Sequence, residues 1–283
     1  MTSSTVTRDD IRGALRALGL SGQPLCVHSS LRSFGWVDGG ADTLIDALLS
    51  EGCTVLVPTM SWHFEVAPPA HLRPPRNGFD YEAWDREHPD QVRRGTAMVF
   101  TPDSNEISAE WMGAIPIAIL RRSGRERGND PMGSFTALGP LARELVRDQT
   151  GTDPFAQFRI LAEHGGSVVL MGVGLNRLTL LHQAEMVAGR NLFMRWANGP
   201  AGEPIAVFGG GCSSGFPRLE PFLKHLIREI KVGSSLWKAL PARETVTEAA
   251  TVIREQPQIT HCGRSDCLEC NDAVLGGPIL DGF

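Results

Sequence analysis

Apolar positions follow two different periods along this chain, and the two alternate. Leu25-Cys26-Val27-His28, Cys53 to Pro58 (CTVLVP) and Val168-Val169-Leu170-Met171 are short continuous apolar runs. Unbroken runs of this length predict strands buried on both faces. Helical segments lie between them. Thr7 to Leu18 places Ile11, Leu15 and Leu18 on one helix face, with Thr7 as N-cap. Ala41 to Leu49 and Leu138 to Val146 read as further helices. Thr101 to Glu106 caps a helix predicted through Leu120, with Pro116 as the point where it kinks or shifts. Leu219 to Ile230 and Val246 to Arg254 resume the helical pattern. Helix and strand alternating at this spacing predict an α/β architecture.

Two stretches have no period. Ser61 to Gly95 carries Trp62, His63, Tyr81, Trp84 and several prolines, and loops this long inside a compact domain are usually functional or disordered. Ser123 to Ser134 (SGRERGNDPMGS) is an irregular polar loop. After Glu185 come short glycine-rich stretches ending at Gly209-Gly210-Gly211-Cys212. No repeat or low-complexity linker divides the chain, so residues 1–283 read as one continuous domain.

Composition narrows the function classes. With 283 residues, 42% hydrophobic and 21% charged, the chain has the make-up of an ordinary globular protein. A net charge of -5 argues against a nucleic-acid binder, which would show a basic face. There is no apolar run of membrane-spanning length, and MTSSTVTRDD lacks the regions of a signal peptide. The expected location is the cytoplasm, with no membrane partner.

Candidate chemistry concentrates in three places. The first is SVVLMGVGLNRLTLLHQAE, from Ser167 to Glu185: a strand, a glycine turn, then a helix with His182 and Glu185 three residues apart. That spacing puts both side chains on one face, where a carboxylate can orient an imidazole acting as general base. The same spacing also describes an ordinary surface pair of little energetic weight. A buried strand leading into the helix start favours a site wall.

The second place is the loop from His28 to Gly35, whose hydroxyls and free N–H groups can hold phosphate or amide oxygens. It matches neither the Walker loop nor the dinucleotide fingerprint, and a capped turn is its plainer reading. The third is Cys262-x4-Cys267-x2-Cys270. Three of six cysteines in the last 22 residues point to a metal rather than a disulfide framework. Cys212 is the expected fourth ligand of a structural zinc, His261 the alternative. A closed four-ligand set would staple residues 205–283 to the body as a C-terminal subdomain. Cys26 and Cys53 sit in apolar strands as small core residues. His71, His88, His164 and His225 read as solvated surface residues.

Together these segments resemble the aminoglycoside 3-N-acetyltransferase family. The resemblance is carried by His28-Ser29-Ser30-Leu31-Arg32-Ser33-Phe34-Gly35-Trp36, Gly39-Gly40-Ala41, Val57-Pro58-Thr59 and Ser134-Phe135-x-Ala137-x-Gly139. It continues in Val168 to Gly174, Thr179-Leu180-Leu181-His182-x-Ala184-Glu185 and Gly211-Cys212-x-x-Gly215-Phe216. It implies an α/β fold of mixed sheets flanked by helices, distinct from the common N-acetyltransferase fold. It implies acetyl-coenzyme A as co-substrate and an aminoglycoside amine as acceptor, the 3-amino group of a 2-deoxystreptamine ring. Ser29, Ser30, Leu31, Arg32, Ser33, Phe34 and Gly35, with Ser134 and Phe135, would bind coenzyme A. His182 would be the catalytic base of a direct transfer, with Glu185 and Thr179 supporting it.

The chain departs from the family pattern at Asn129-Asp130-Pro131, where Asp130 stands in place of a histidine. Asp148 to Pro154 replaces a second histidine-containing stretch, and Ser61 to Gly95 is long and aromatic. These regions border the acceptor side. They keep two alternatives open: transfer to a different amine, and an inactive acetyl-coenzyme A-binding relative.

Overall fold

The three apolar runs become the centre of a seven-stranded sheet in the protein, described by a computed structural model. Residues 5–87, 89 and 98–280 are described. The strands are β1 (Pro24–Ser29), β2 (Thr54–Pro58), β3 (Glu126–Arg127), β4 (Phe135–Leu138) and β5 (Ser167–Met171). Two hairpins follow, β6 (Phe193–Asn198) with β7 (Pro204–Gly209), and β8 (Arg228–Val232) with β9 (Ser235–Pro241). The large sheet runs β3-β4-β2-β1-β5-β9-β8, and β6-β7 stands apart. β1 pairs in parallel with β2 and β5, while β4 and β9 pair antiparallel to β2 and β5.

The unbroken apolar runs now have a physical reason. Successive residues alternate between two separate cores, one on each face of the sheet. Cys26, Leu56, Val168 and Leu170 pack with the helices Ala156–Glu163, Leu180–Val187 and Ala242–Glu255. Leu25, Val27, Val55, Val169 and Met171 pack on the other face with Arg8–Ala17, Gly40–Ser50 and Ala114–Leu120. The first of these helices starts at a Thr7–Asp10 capping box.

This topology places the site. From β1 the chain crosses to β2 on one side, while β5 lies against β1 on the other. Loops leaving the carboxyl ends of β1 and β5 therefore diverge, the switch-point arrangement that opens a crevice in α/β sheets. Ser29 pairs with Met171 at that edge, and Phe135, at the start of antiparallel β4, pairs with Pro58 at the end of β2.

Several segments differ from the periodicity. The helix predicted through Leu120 is broken at Gly113 into Ala109–Met112 and Ala114–Leu120, and Pro116 fits inside the second helix near its start. Leu219 to Ile230 is not one helix. Its apolar residues occupy short turns from Phe216 to Leu226 and then strand β8. Within Ser61 to Gly95, residues 62–64 and 70–72 form single helical turns, and Tyr81–Glu87 is a short helix. Residues 88 and 90–97 lie outside the described residues, and with them His88. His71, His164 and His225 are exposed. Among the described residues no helix is long and apolar enough to cross a membrane.

Candidate functional site

A cleft of about 1370 Å³ opens at the diverging ends of β1 and β5. Its walls include the loop after β1, the segments around Met60 and Trp111, the helix start at Thr179, and the end of β7. His182 lines it.

His182 and Glu185 are both buried on the helix Leu180–Val187, and the three-residue spacing brings them together. Nδ1 of His182 donates to Glu185 Oε2 at 2.7 Å. The other carboxylate oxygen, Oε1, accepts from Arg190 Nη1 at 2.5 Å. Arg190 is itself anchored, donating to Thr260 Oγ1 at 2.7 Å and to the Pro257 carbonyl at 2.6 Å. The carboxylate is thus claimed on both sides. It fixes the ring orientation and leaves Nε2 as the acceptor nitrogen, with no protein partner among the described residues.

The imidazole is also held by shape. Phe155 stacks nearly parallel at 6.4 Å, and Phe216 lies tilted at 4.8 Å. Gly210 closes the space: a Cβ there would sit 2.1 Å from His182 Cγ. Thr179 lines the cleft but makes no side-chain cap for the helix.

The loop after β1 divides. Ser29, Ser30, Leu31, Arg32 and Gly35 line the cleft. Phe34 does not; it is fully buried and packs edge-on against Trp237 at 5.8 Å. Ser33 also turns away: its hydroxyl donates to the Ser30 carbonyl at 2.7 Å and lies 2.8 Å from Ser235 Oγ. Gly172 allows this closeness, since its φ is +70° and a Cβ would meet Ser33 Oγ at 1.9 Å. Phe135 lines the cleft, but Ser134 is buried behind it and accepts from Arg127 Nε at 2.9 Å. Arg32 and Arg177 are exposed in the cleft without a carboxylate partner among the described residues. His28 also lines it, and burial together with the Arg177 charge pushes its imidazole down to about 4.

Asp130 is completely buried. Its Oδ1 accepts from the backbone N–H groups of Met132 at 3.0 Å and Gly133 at 2.8 Å, and Oδ2 has no partner. Burial pushes this carboxyl up to about 7.

Near the tail, the Sγ atoms of Cys212, Cys262, Cys267 and Cys270 lie within 4.8 Å of one another. Sulfurs about 2.3 Å from one tetrahedral ion stand about 3.8 Å apart, so the set fits zinc. His261 is occupied elsewhere, with Nε2 3.0 Å from Asn271 Oδ1 and Nδ1 accepting from the Gly263 N–H at 3.0 Å. No described cysteine lines the cleft.

Sequence reasoning passed over Arg190, Thr260, Gly210 and Arg177. Arg190 lies beyond the end of its helix and Thr260 is 70 residues further on, so no spacing links them to Glu185. Gly210 carried a signal only as part of a glycine run.

The chain is similar in sequence and in fold to known proteins. The profile of the family described as Aminoglycoside 3-N-acetyltransferase matches residues 26–254. Aminoglycoside N(3)-acetyltransferase IX of Micromonospora chalcea is 35% identical over 191 residues, covering 65% of this chain and 63% of its own length. The match thus spans less than two thirds of that relative. The crystal structure of aminoglycoside acetyltransferase AAC(3)-Xa superposes with a TM-score of 0.70 at 28% identity, covering 89% of this chain and 94% of that one. AAC-IIIb in a binary complex with CoASH gives a TM-score of 0.69 at 25% identity, covering 89% and 98%. By the family match over residues 26–254, with a fold that superposes on AAC(3)-Xa, the chain belongs to the aminoglycoside 3-N-acetyltransferase family.

Proposed function

We propose that the protein is an acetyl-coenzyme A-dependent N-acetyltransferase. Its acceptor is an amine of an aminoglycoside, the 3-amino group of the 2-deoxystreptamine ring, and transfer is direct within a ternary complex. The observation that carries this reading is His182 at the cleft wall, held by a carboxylate whose two oxygens are both engaged.

An amine is mostly protonated at neutral pH and is not nucleophilic until a proton leaves. Nε2 of His182 takes that proton, and Glu185 stabilises the resulting imidazolium. The nitrogen lone pair attacks the thioester carbonyl and forms the C–N bond. Collapse of the tetrahedral intermediate breaks the C–S bond, and the second proton, shed by the nitrogen as it becomes an amide, passes to the departing coenzyme A thiolate. A nucleophilic cysteine is unnecessary, and burial pushes the Cys26 thiol strongly up, away from the thiolate form.

Arg32 and Arg177 are exposed cations suited to the donor's phosphates, and AAC-IIIb, known in complex with CoASH, supports the donor's identity. Ser29, Ser30, Leu31, Gly35 and Phe135 would contact coenzyme A. Ser33, Phe34 and Ser134 would shape the loop from behind. Thr179 would support the base from the start of its helix.

The four cysteines would hold a structural zinc and join the tail to the end of β7, two residues from Gly210. In this reading residues 1–283 act as one domain in the cytoplasm, with 205–283 stapled by the metal. Elemental analysis of purified protein should find about one zinc per chain; less than about a tenth would refute it.

A different amine is the second reading, favoured by Asp130 in the place of a family histidine. The deciding assay follows free thiol release from acetyl-coenzyme A with a panel of aminoglycosides. Thiol release with an aminoglycoside is expected. No release with any amine, together with no acetyl-coenzyme A binding by calorimetry, would sink the proposal.

A further inference from the structure

An acceptor with several amines is a polycation, yet the described cleft offers it few carboxylates. Its charged lining comprises Arg32, Arg177, Arg195, Glu110 and Glu269. Glu269 is already taken, 2.7 Å from Arg195 Nη2. Glu110 is therefore the one unpaired carboxylate among the described lining residues, against two unpaired arginines. Attraction for a second ammonium group has to come largely from something other than ion pairs.

Two exposed tryptophans line the same cleft as Glu110. Trp62 and Trp111 are 46% and 61% exposed, with ring centroids 6.3 Å apart and planes inclined at 50°. The backbones of both residues are tied to Ser108. Ser108 accepts at Oγ from the Trp62 N–H at 3.0 Å, and its carbonyl accepts from the Trp111 N–H at 3.0 Å. Its own N–H donates to the Met60 carbonyl at 3.1 Å. One buried serine thus ties the two backbones together.

Two inclined indole faces beside a carboxylate are the arrangement that binds an ammonium ion, because the ring faces are negative and tryptophan is the strongest cation–π partner. We propose that Trp62, Trp111 and Glu110 form a subsite for a second, non-reacting ammonium group of the acceptor. The inference rests on the proposed amine acetylation and adds how that amine's carrier is recognised. A purely apolar acceptor body would use the tryptophans and leave Glu110 idle, and the experiment separates these cases.

The test uses the full-length enzyme, neamine as a polyamine acceptor, and tetramethylammonium, which can be neither acetylated nor hydrogen-bonded. Tetramethylammonium should inhibit competitively against neamine. Trp111→Ala and Trp62→Ala should each raise the neamine KM about five- to tenfold, with kcat and the acetyl-coenzyme A KM within about twofold. Trp111→Phe should recover part of the loss, and Glu110→Gln should raise the neamine KM about threefold. Unchanged neamine KM in both tryptophan variants, or equal inhibition of wild type and variants by tetramethylammonium, overturns the subsite. So does a Trp111→Ala effect accompanied by an unchanged KM in Glu110→Gln, which indicates an apolar platform. If wild type releases no thiol with neamine or with any other aminoglycoside of the panel, the acceptor reading itself has failed. Saturation-transfer NMR of tetramethylammonium, lost in Trp111→Ala, then still decides the subsite.

Discussion

Two buried carboxylates stand behind the walls of the cleft and have opposite fates. Glu185 lies between His182 and Arg190 and has a charged or donating partner on each oxygen. Asp130 takes two backbone N–H groups on one oxygen and nothing on the other. The buried arginine nearest in chemistry, Arg127, spends its donors on Ser134 and on the carbonyls of Thr59, Ser104 and Glu106. Burial pushes Arg127 down to about 10 and Asp130 up to about 7. A carboxylate acts as a fixed negative partner only when cations and donors offset its desolvation; without them it is driven toward the neutral acid. The first arrangement suits orienting a base. The second suits shaping a loop, and it positions Met132 and Gly133 at the cleft.

The largest break in this comparison should come from Glu185→Ala. It frees the His182 ring and leaves the Arg190 charge buried without its partner. We expect kcat to fall about a hundred-fold and stability to fall by about 3–5 kcal/mol in urea titration. A variant as stable as wild type would show that the pair contributes only geometry.

Asp130→Asn probes the other carboxylate through pH. Unfolded, this carboxyl titrates at its ordinary value of 3.8; folded, at about 7. Between these values the folded chain keeps a proton that the unfolded chain has given up, so stability falls as pH rises, and the loss is complete above about 7. The full effect is on the order of 4 kcal/mol. Asparagine cannot ionise, so the variant should show a flatter stability profile from pH 5 to 8. Parallel profiles would remove the buried-acid account.

A smaller effect is expected from Gly210→Ala. The added methyl meets the imidazole, so kcat should fall roughly tenfold while the acetyl-coenzyme A KM holds. Thr260→Val should be mildest, costing about 1 kcal/mol of stability for one hydrogen bond to Arg190.

Legibility from the chain divides along the same lines as burial. β1, β2 and β5 could be read because a strand covered on both faces must be apolar at every position. His182 and Glu185 could be paired because both lie on one helix. The β8–β9 hairpin could not, because Leu219, Leu223, Leu226 and Ile230 mimic a helical stripe. Only the alternation of Ile230 and Val232 with charged neighbours, closing at Gly233, marks the strand. The β6–β7 hairpin was hidden in glycine-rich sequence. The cysteine cluster was legible from spacing within the tail, and Cys212, expected as the fourth member although it lies 50 residues upstream, does meet the other three. In the Ser29 to Gly35 loop, residue type suggested a ligand contact throughout. The turn of Leu31–Phe34 sends Ser33 and Phe34 into the body instead.

The proposed role of His182 is tested most directly by His182→Gln, assayed by thiol release at saturating acetyl-coenzyme A and aminoglycoside. The account predicts a kcat at least about a hundred-fold below wild type, with the acetyl-coenzyme A KM unchanged. A kcat within about threefold of wild type would contradict it and move the base elsewhere.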